Sequence, residues 1–117
     1  MKLRWGLVCL LLSSTAVAES VRVGSKTFTE SVILGEMITL LVRDAGFKAS
    51  HRRDLGGTRI LFTALENGDI AVYPEYTGTI TQEILAGQGV NGFDAIRAAL
   101  REKGILVSKP LGFNNTY

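Results

Sequence analysis

Three short stretches of the chain carry residues able to do chemistry: Gly24 to Ser31 (GSKTFTES), Tyr73 to Thr79 (YPEYTGT) and Leu111 to Tyr117 (LGFNNTY). Together they hold Lys26, Glu30, Tyr73, Glu75, Tyr76, Thr77, Thr79, Asn115 and Tyr117, and all three tyrosines of the chain fall among them. The electron-rich face of a tyrosine attracts a desolvated cation that has no N–H to donate, at roughly 0.5–2 kcal/mol per contact. Aromatic cages hold quaternary ammonium groups in this way, so a ligand-binding rim is one reading of these residues. Each residue also has a plainer reading. Tyr73 ends a strand and suits a core wall better than a ligand contact. Glu75 suits a charge beside a helix N-terminus, and Lys26 suits a solvated loop lysine or the ion-pair partner of Glu75.

Other chemistries find less support. VGSKT lacks the upstream glycine and the Gly-Lys-Ser/Thr order of a phosphate loop. Ser25 and Ser31 have no nucleophile-elbow context, and His51, the only histidine, sits in a polar strand and reads as a surface residue remote from the three stretches. One histidine and dispersed carboxylates make a poor metal site, and no cofactor is implied.

The elements that must position these residues follow from periodicity. Val21 to Val23 alternates as a strand. Thr29 or Ser31 could cap a helix over Val32 to Ala45, in which Ile33, Leu34, Met37, Ile38, Leu41 and Val42 recur at helical spacing, with Gly46 as a left-handed stop. Phe47 to Arg52 reads as a second strand, with Arg52-Arg53 as its solvated end. Thr58 could cap a second helix ending at Gly68, and Ile70 to Tyr73 is a short apolar third strand. A helix from Thr77–Thr79 to Gly87, another over Asp94 to Lys103 and a fourth strand over Ile105 to Ser108 complete the pattern. Alternating strands and helices predict an α/β fold with a mostly parallel sheet. In such sheets ligands bind beyond the carboxyl ends of the strands, which would bring the three stretches to one rim.

Residues 1–18 have the layout of an export signal: Lys2 and Arg4, an apolar run to Leu12, then small residues ending Ala16-Val17-Ala18. The run falls short of the roughly 20 residues of a membrane span, and Val8 before Cys9 is too large for a lipidation site. Cleavage is expected near Ala18, leaving a periplasmic chain that begins near Glu19, is not inserted in the membrane and has no cysteine. Lys2 and Arg4 account for the basic excess, so residues 19–117 carry 11 Lys/Arg against 11 Asp/Glu. With no basic patch, nucleic acid is not an expected partner.

The segments VGSKTFTES, DLGGTRI, ALENGDIAVYPEYTGT and LGFNNTY resemble the periplasmic substrate-binding proteins of ABC importers for glycine betaine, choline and related osmoprotectants. The resemblance implies a periplasmic-binding-protein-like (type II) lobe, a quaternary ammonium ligand, a permease partner and no catalysis. By motif position, Tyr76 is similar to a cage tyrosine and Thr79 to its neighbour that reaches the polar end of the ligand. Tyr117 resembles the cage tyrosine at the lobe boundary, Asn115 a polar contact two residues before it, and Lys26 a lysine that meets the ligand carboxylate. Ser31 stands where the family usually has glutamine. Family members are two-lobed and longer, so residues 19–117 are expected to be the N-terminal part of lobe one, truncated and impaired in binding. The alternative is a solute-sensing or interaction domain derived from the same fold.

Overall fold

The computed structural model describes residues 19–114; the expected export signal at 1–18, with Cys9, and the positions Asn115 and Tyr117 lie outside them. The polypeptide begins with β1, Val21–Gly24, followed by α1, Thr29–Asp44, and β2, Ala49–Arg52. α2, Thr58–Glu66, leads to a short α3, Thr77–Thr79, which runs directly into a π-helical turn, Ile80–Ile84; α4 is Phe93–Glu102. β1 and β2 pair in parallel, Val21 opposite Ala49 and Gly24 opposite Arg52. On its other side β1 meets the chain again at a parallel bridge, Val23 to Val72. Backbone bonds from Ala71 N–H to the Arg22 carbonyl (2.7 Å) and from Gly24 N–H to the Val72 carbonyl (2.9 Å) close that bridge.

The expected third strand is thus a single bridge, and the expected fourth does not form. Ile105 and Val107 still face inward, half-buried on a cluster of Phe62, Ile80, Leu85, Ile96 and Leu100, while Leu106 between them is 80% exposed. The alternation legible in the sequence is real, but no described strand lies alongside to accept its hydrogen bonds, and pairing is what makes an extended segment a strand.

Chain order places β1 between β2 and the Val72 segment. The chain leaves β1 through α1 on one side and comes back through α2 on the other, so the two connections part at the carboxyl end of β1. That parting is the crevice where open α/β sheets bind ligands. Close packing supports it from below: a Cβ on Gly24 would lie 2.7 Å from Ile70 Cδ1 and 3.0 Å from Leu61 Cδ1.

α1 seats itself differently from its apolar pattern. Ser31, Gly35 and Thr39, one turn apart, are the residues it buries. Ile33, Met37, Leu40 and Leu41 are each more than half exposed, Leu41 at 67%. The helix has to pass over a polar sheet face, and small residues permit that approach; Thr39 satisfies its hydroxyl on the Gly35 carbonyl at 2.8 Å. Gly46 takes the left-handed conformation expected of it, φ 93°. Among the described residues no helix is long and apolar enough to cross a membrane.

Candidate functional site

Immediately after β1 the chain carries Ser25 and Lys26, both buried. Lys26 extends toward the segment that follows Val72. Its Nζ meets Glu75 Oε1 at 2.6 Å and donates to Thr58 Oγ1 at 3.0 Å. The two charged side chains are 7% and 8% exposed, so the pair lies almost wholly out of water, where each charge depends on the other. Glu75 Oε1 also accepts the Tyr76 backbone N–H at 3.0 Å, at the start of α3. Its second oxygen is buried without a hydrogen-bond partner. Tyr73, half-buried beside it, has its phenol pushed well above the ordinary range, by burial first and then by the neighbouring Glu75 carboxylate.

Tyr76 is the N-cap residue of α3. Its hydroxyl donates to the Glu30 carboxylate in the first turn of α1. Its ring lies against Phe28, with centroids 6.4 Å apart and planes inclined by 29°. The loops after β1 and after Val72 are therefore joined twice, by Lys26 with Glu75 and by Glu30 with Tyr76. Thr79 closes the short α3 three residues on from Tyr76.

The third stretch behaves differently. Leu111 to Asn114 is exposed, and no hydrogen bond or ion pair of the described residues ties it to the rim. The loop after β2 takes the neighbouring place instead: Thr27 N–H donates to the Gly56 carbonyl at 3.2 Å and Leu55 N–H to the Ser25 carbonyl at 3.1 Å.

Neither α1 nor α2 is capped by a hydroxyl; the N-cap positions are Phe28 and Gly57. Thr58 is drawn to Lys26. Ser31 accepts the Lys26 backbone N–H at 2.8 Å and is 1% exposed. Both hydroxyls thus serve the lysine instead of a helix end.

His51 corrects the sequence reading outright. It is no surface residue: its side chain is 5% exposed. Nδ1 lies 2.8 Å from Glu36 Oε2 and Nε2 lies 2.8 Å from Ser25 Oγ. An ionised carboxylate only accepts, so Nδ1 carries the proton, and in the neutral ring Nε2 accepts from Ser25. Gly35 makes the room, since a Cβ there would lie 2.5 Å from His51 Nε2. Glu36 also receives the Arg53 guanidinium at 3.0 Å; the His51 bond first and the Arg53 bond second hold its carboxyl below the usual range. Serine, histidine and carboxylate here follow the order of an acyl-transfer triad, but Ser25 has no exposed surface, so no substrate carbonyl can approach its Oγ. The arrangement works as an internal brace between β1, β2 and α1.

Phe28, the contact of Thr58 with Lys26 and the reach of Glu30 to Tyr76 escaped the sequence reading. Phe28 was legible as an aromatic within the first loop; the partners of Thr58 and Glu30, 32 and 46 residues distant, were not.

Residues 19–117 match a protein family described as the substrate binding domain of ABC-type glycine betaine transport system. A glycine-betaine-binding protein of Pseudomonas aeruginosa is 32% identical over 114 residues, covering 92% of this chain and 36% of its own length. The glycine betaine-binding protein YehZ of Escherichia coli is 38% identical over 61 residues, 52% of this chain and 20% of that protein. An ergothioneine transport permease/ergothioneine binding protein, EgtU of Helicobacter pylori, is 36% identical over 100 residues, 81% of this chain and 18% of that one. Among solved structures, apo YehZ from Escherichia coli superposes with a TM-score of 0.65 at 28% identity, over 73% of this chain and 32% of its own. The chain thus spans from about a fifth to about a third of the length of these relatives.

Proposed function

We propose that this chain, which belongs to the family of substrate-binding domains of ABC-type glycine betaine transport systems, captures a quaternary ammonium solute such as glycine betaine or choline in the periplasm. It hands the solute to the permease of an ATP-driven importer and catalyses no reaction. Residues 19–117 act as one unit in this reading, delivered by an export signal over 1–18.

One observation carries the reading: the Tyr76 ring stands at the carboxyl end of the sheet with Phe28 beside it and a carboxylate on its hydroxyl. A quaternary ammonium has no N–H, so it is held by ring faces and by nearby negative charge. Tyr76 with Phe28 supplies the ring faces. Thr79 and Lys26 serve the polar end of the solute, with Asn115 and Tyr117 completing the set. Two of the three Lys26 ammonium hydrogens are engaged within the chain. A solute carboxylate reaching Lys26 therefore has the third hydrogen to accept and shares the ammonium with Glu75.

The test is an NMR titration of the chain with choline and with glycine betaine, following the aromatic resonances of Phe28 and Tyr76. Weak but saturable shifts of both rings are expected, because the chain is read as only part of one lobe, and they are lost in Tyr76→Ala. Unmoved rings with either solute would sink the proposal.

A further inference from the structure

Glu30 stands apart from the other rim carboxylate. Glu75 is neutralised by Lys26. Glu30 forms no ion pair among the described residues; its carboxylate accepts the Tyr76 hydroxyl, and it sits in the first turn of α1, where the helix dipole favours negative charge. A phenol bonded to a carboxylate makes a charge-assisted hydrogen bond, among the stronger kinds. Here that bond spans 46 residues of sequence and ties α3 to α1.

Two consequences follow for the ring. It is held at its hydroxyl edge by Glu30 and along its face by Phe28, which fixes the direction of the face that a cation would meet. Hydrogen bonding to an anion also pushes electron density from the phenol oxygen into the ring, deepening the negative potential of that face. A carboxylate in this place therefore adds to cation binding without touching the cation.

We infer that Glu30 is the positioning and specificity-determining residue of the ammonium subsite, acting through the Tyr76 hydroxyl. The inference rests on the solute-binding reading above and extends it to a residue on a different helix from the tyrosine. Glu30 discriminates by charge: it favours a trimethylammonium group over an uncharged group of the same shape.

The experiment compares choline with its neutral analogue, in which a tert-butyl group replaces trimethylammonium, on the chain and on its Glu30→Gln variant. Glutamine retains an acceptor for the hydroxyl and removes the charge. Choline affinity is expected to fall about tenfold, the scale of losing a charged hydrogen-bond partner, while that of the neutral analogue stays within about twofold. A merely structural role would weaken both ligands alike. The same pair is then measured in Tyr76→Phe, with and without Glu30→Gln. If Glu30 acts through the hydroxyl, the second change adds little to the first. Equal losses for both ligands, an unchanged choline affinity in Glu30→Gln, or full additivity with Tyr76→Phe would each overturn the inference while leaving the solute-binding reading intact. Failure of the parent chain to bind choline or glycine betaine would overturn both.

Discussion

The two ends of β1 are held by different physics. At its amino end, Arg22 donates to the Asp69 and Gly68 carbonyls at 2.7 and 2.8 Å. Arg43 donates to the Ala49 carbonyl at 3.1 and 2.9 Å. These are guanidinium forks on exposed backbone, which water can replace. At its carboxyl end, buried Lys26 and Ser25 bond to other largely enclosed side chains: Lys26 to Glu75 and to the half-buried Thr58, and Ser25 to His51. Each group there has been removed from water and relies on a specific partner. A fold that only needed to close its sheet could treat both ends as it treats the amino end. Desolvated polar groups gathered at one end mark the end that must present fixed polar geometry to something else.

That contrast can be broken in a graded way. The largest effect is expected from Lys26→Ala, which leaves the Glu75 charge buried and uncompensated and should cost about 3–5 kcal/mol in urea unfolding. Replacing both members with apolar residues, Lys26→Met with Glu75→Leu, should recover most of that loss. If the double variant is as unstable as the single, the pair is doing more than neutralising itself.

Next comes the brace. His51→Ala leaves the wholly buried Ser25 hydroxyl without its partner and should cost about 1–3 kcal/mol. Gly35→Ala, which forces a methyl to 2.5 Å from His51 Nε2, is expected to cost a similar amount, about 1–3 kcal/mol. A fully stable Gly35→Ala would show that the ring can move away and that the brace is loose. At the amino end, Arg22→Ala should cost no more than about 0.5–1.5 kcal/mol, because water takes over at the two carbonyls. A loss as large as that of Lys26→Ala would erase the distinction between the ends.

The smallest effect concerns acid. The Glu36 carboxyl is held below its ordinary value of 4.5 by His51 and then Arg53. A depressed carboxyl contributes stability that is present above the ordinary value and lost as pH falls through the depressed one. Stability measured below about pH 4.5 should therefore decline less steeply in Glu36→Gln than in the parent. Identical slopes would mean that Glu36 is bonded no better in the folded chain than in the unfolded one.

Legibility in the sequence followed range. The three longer helices α1, α2 and α4, their glycine stops and the first two strands were readable because apolar period and backbone chemistry act within a few residues. The direction in which α1 faces was not. Its strongest stripe, Ile33, Met37 and Leu41, points outward, since what α1 covers is decided by Ser25 and His51 beneath it, and Gly35 and Thr39 are the residues that fit there. The third and fourth strands were readable as extended segments but not as paired ones, pairing being a property of neighbours. At the rim, Tyr76 was identifiable by type, whereas Lys26 could be read equally as a loop lysine, a ligand contact or the partner of Glu75, and only the 2.6 Å approach shows the pairing with Glu75.

By itself, then, the sequence determined which residue types could do chemistry and, for the first two stretches, which elements would carry them to the carboxyl end of β1, because residue type and short-range periodicity are local quantities. The tertiary structure alone decided the partners. Glu75 with Lys26, Glu30 with Tyr76 and Ser25 with His51 are separated by 49, 46 and 26 residues. Which polar group meets which, once water is excluded, depends on how β1 is flanked by β2 on one side and Val72 on the other, and no window of the chain contains that information.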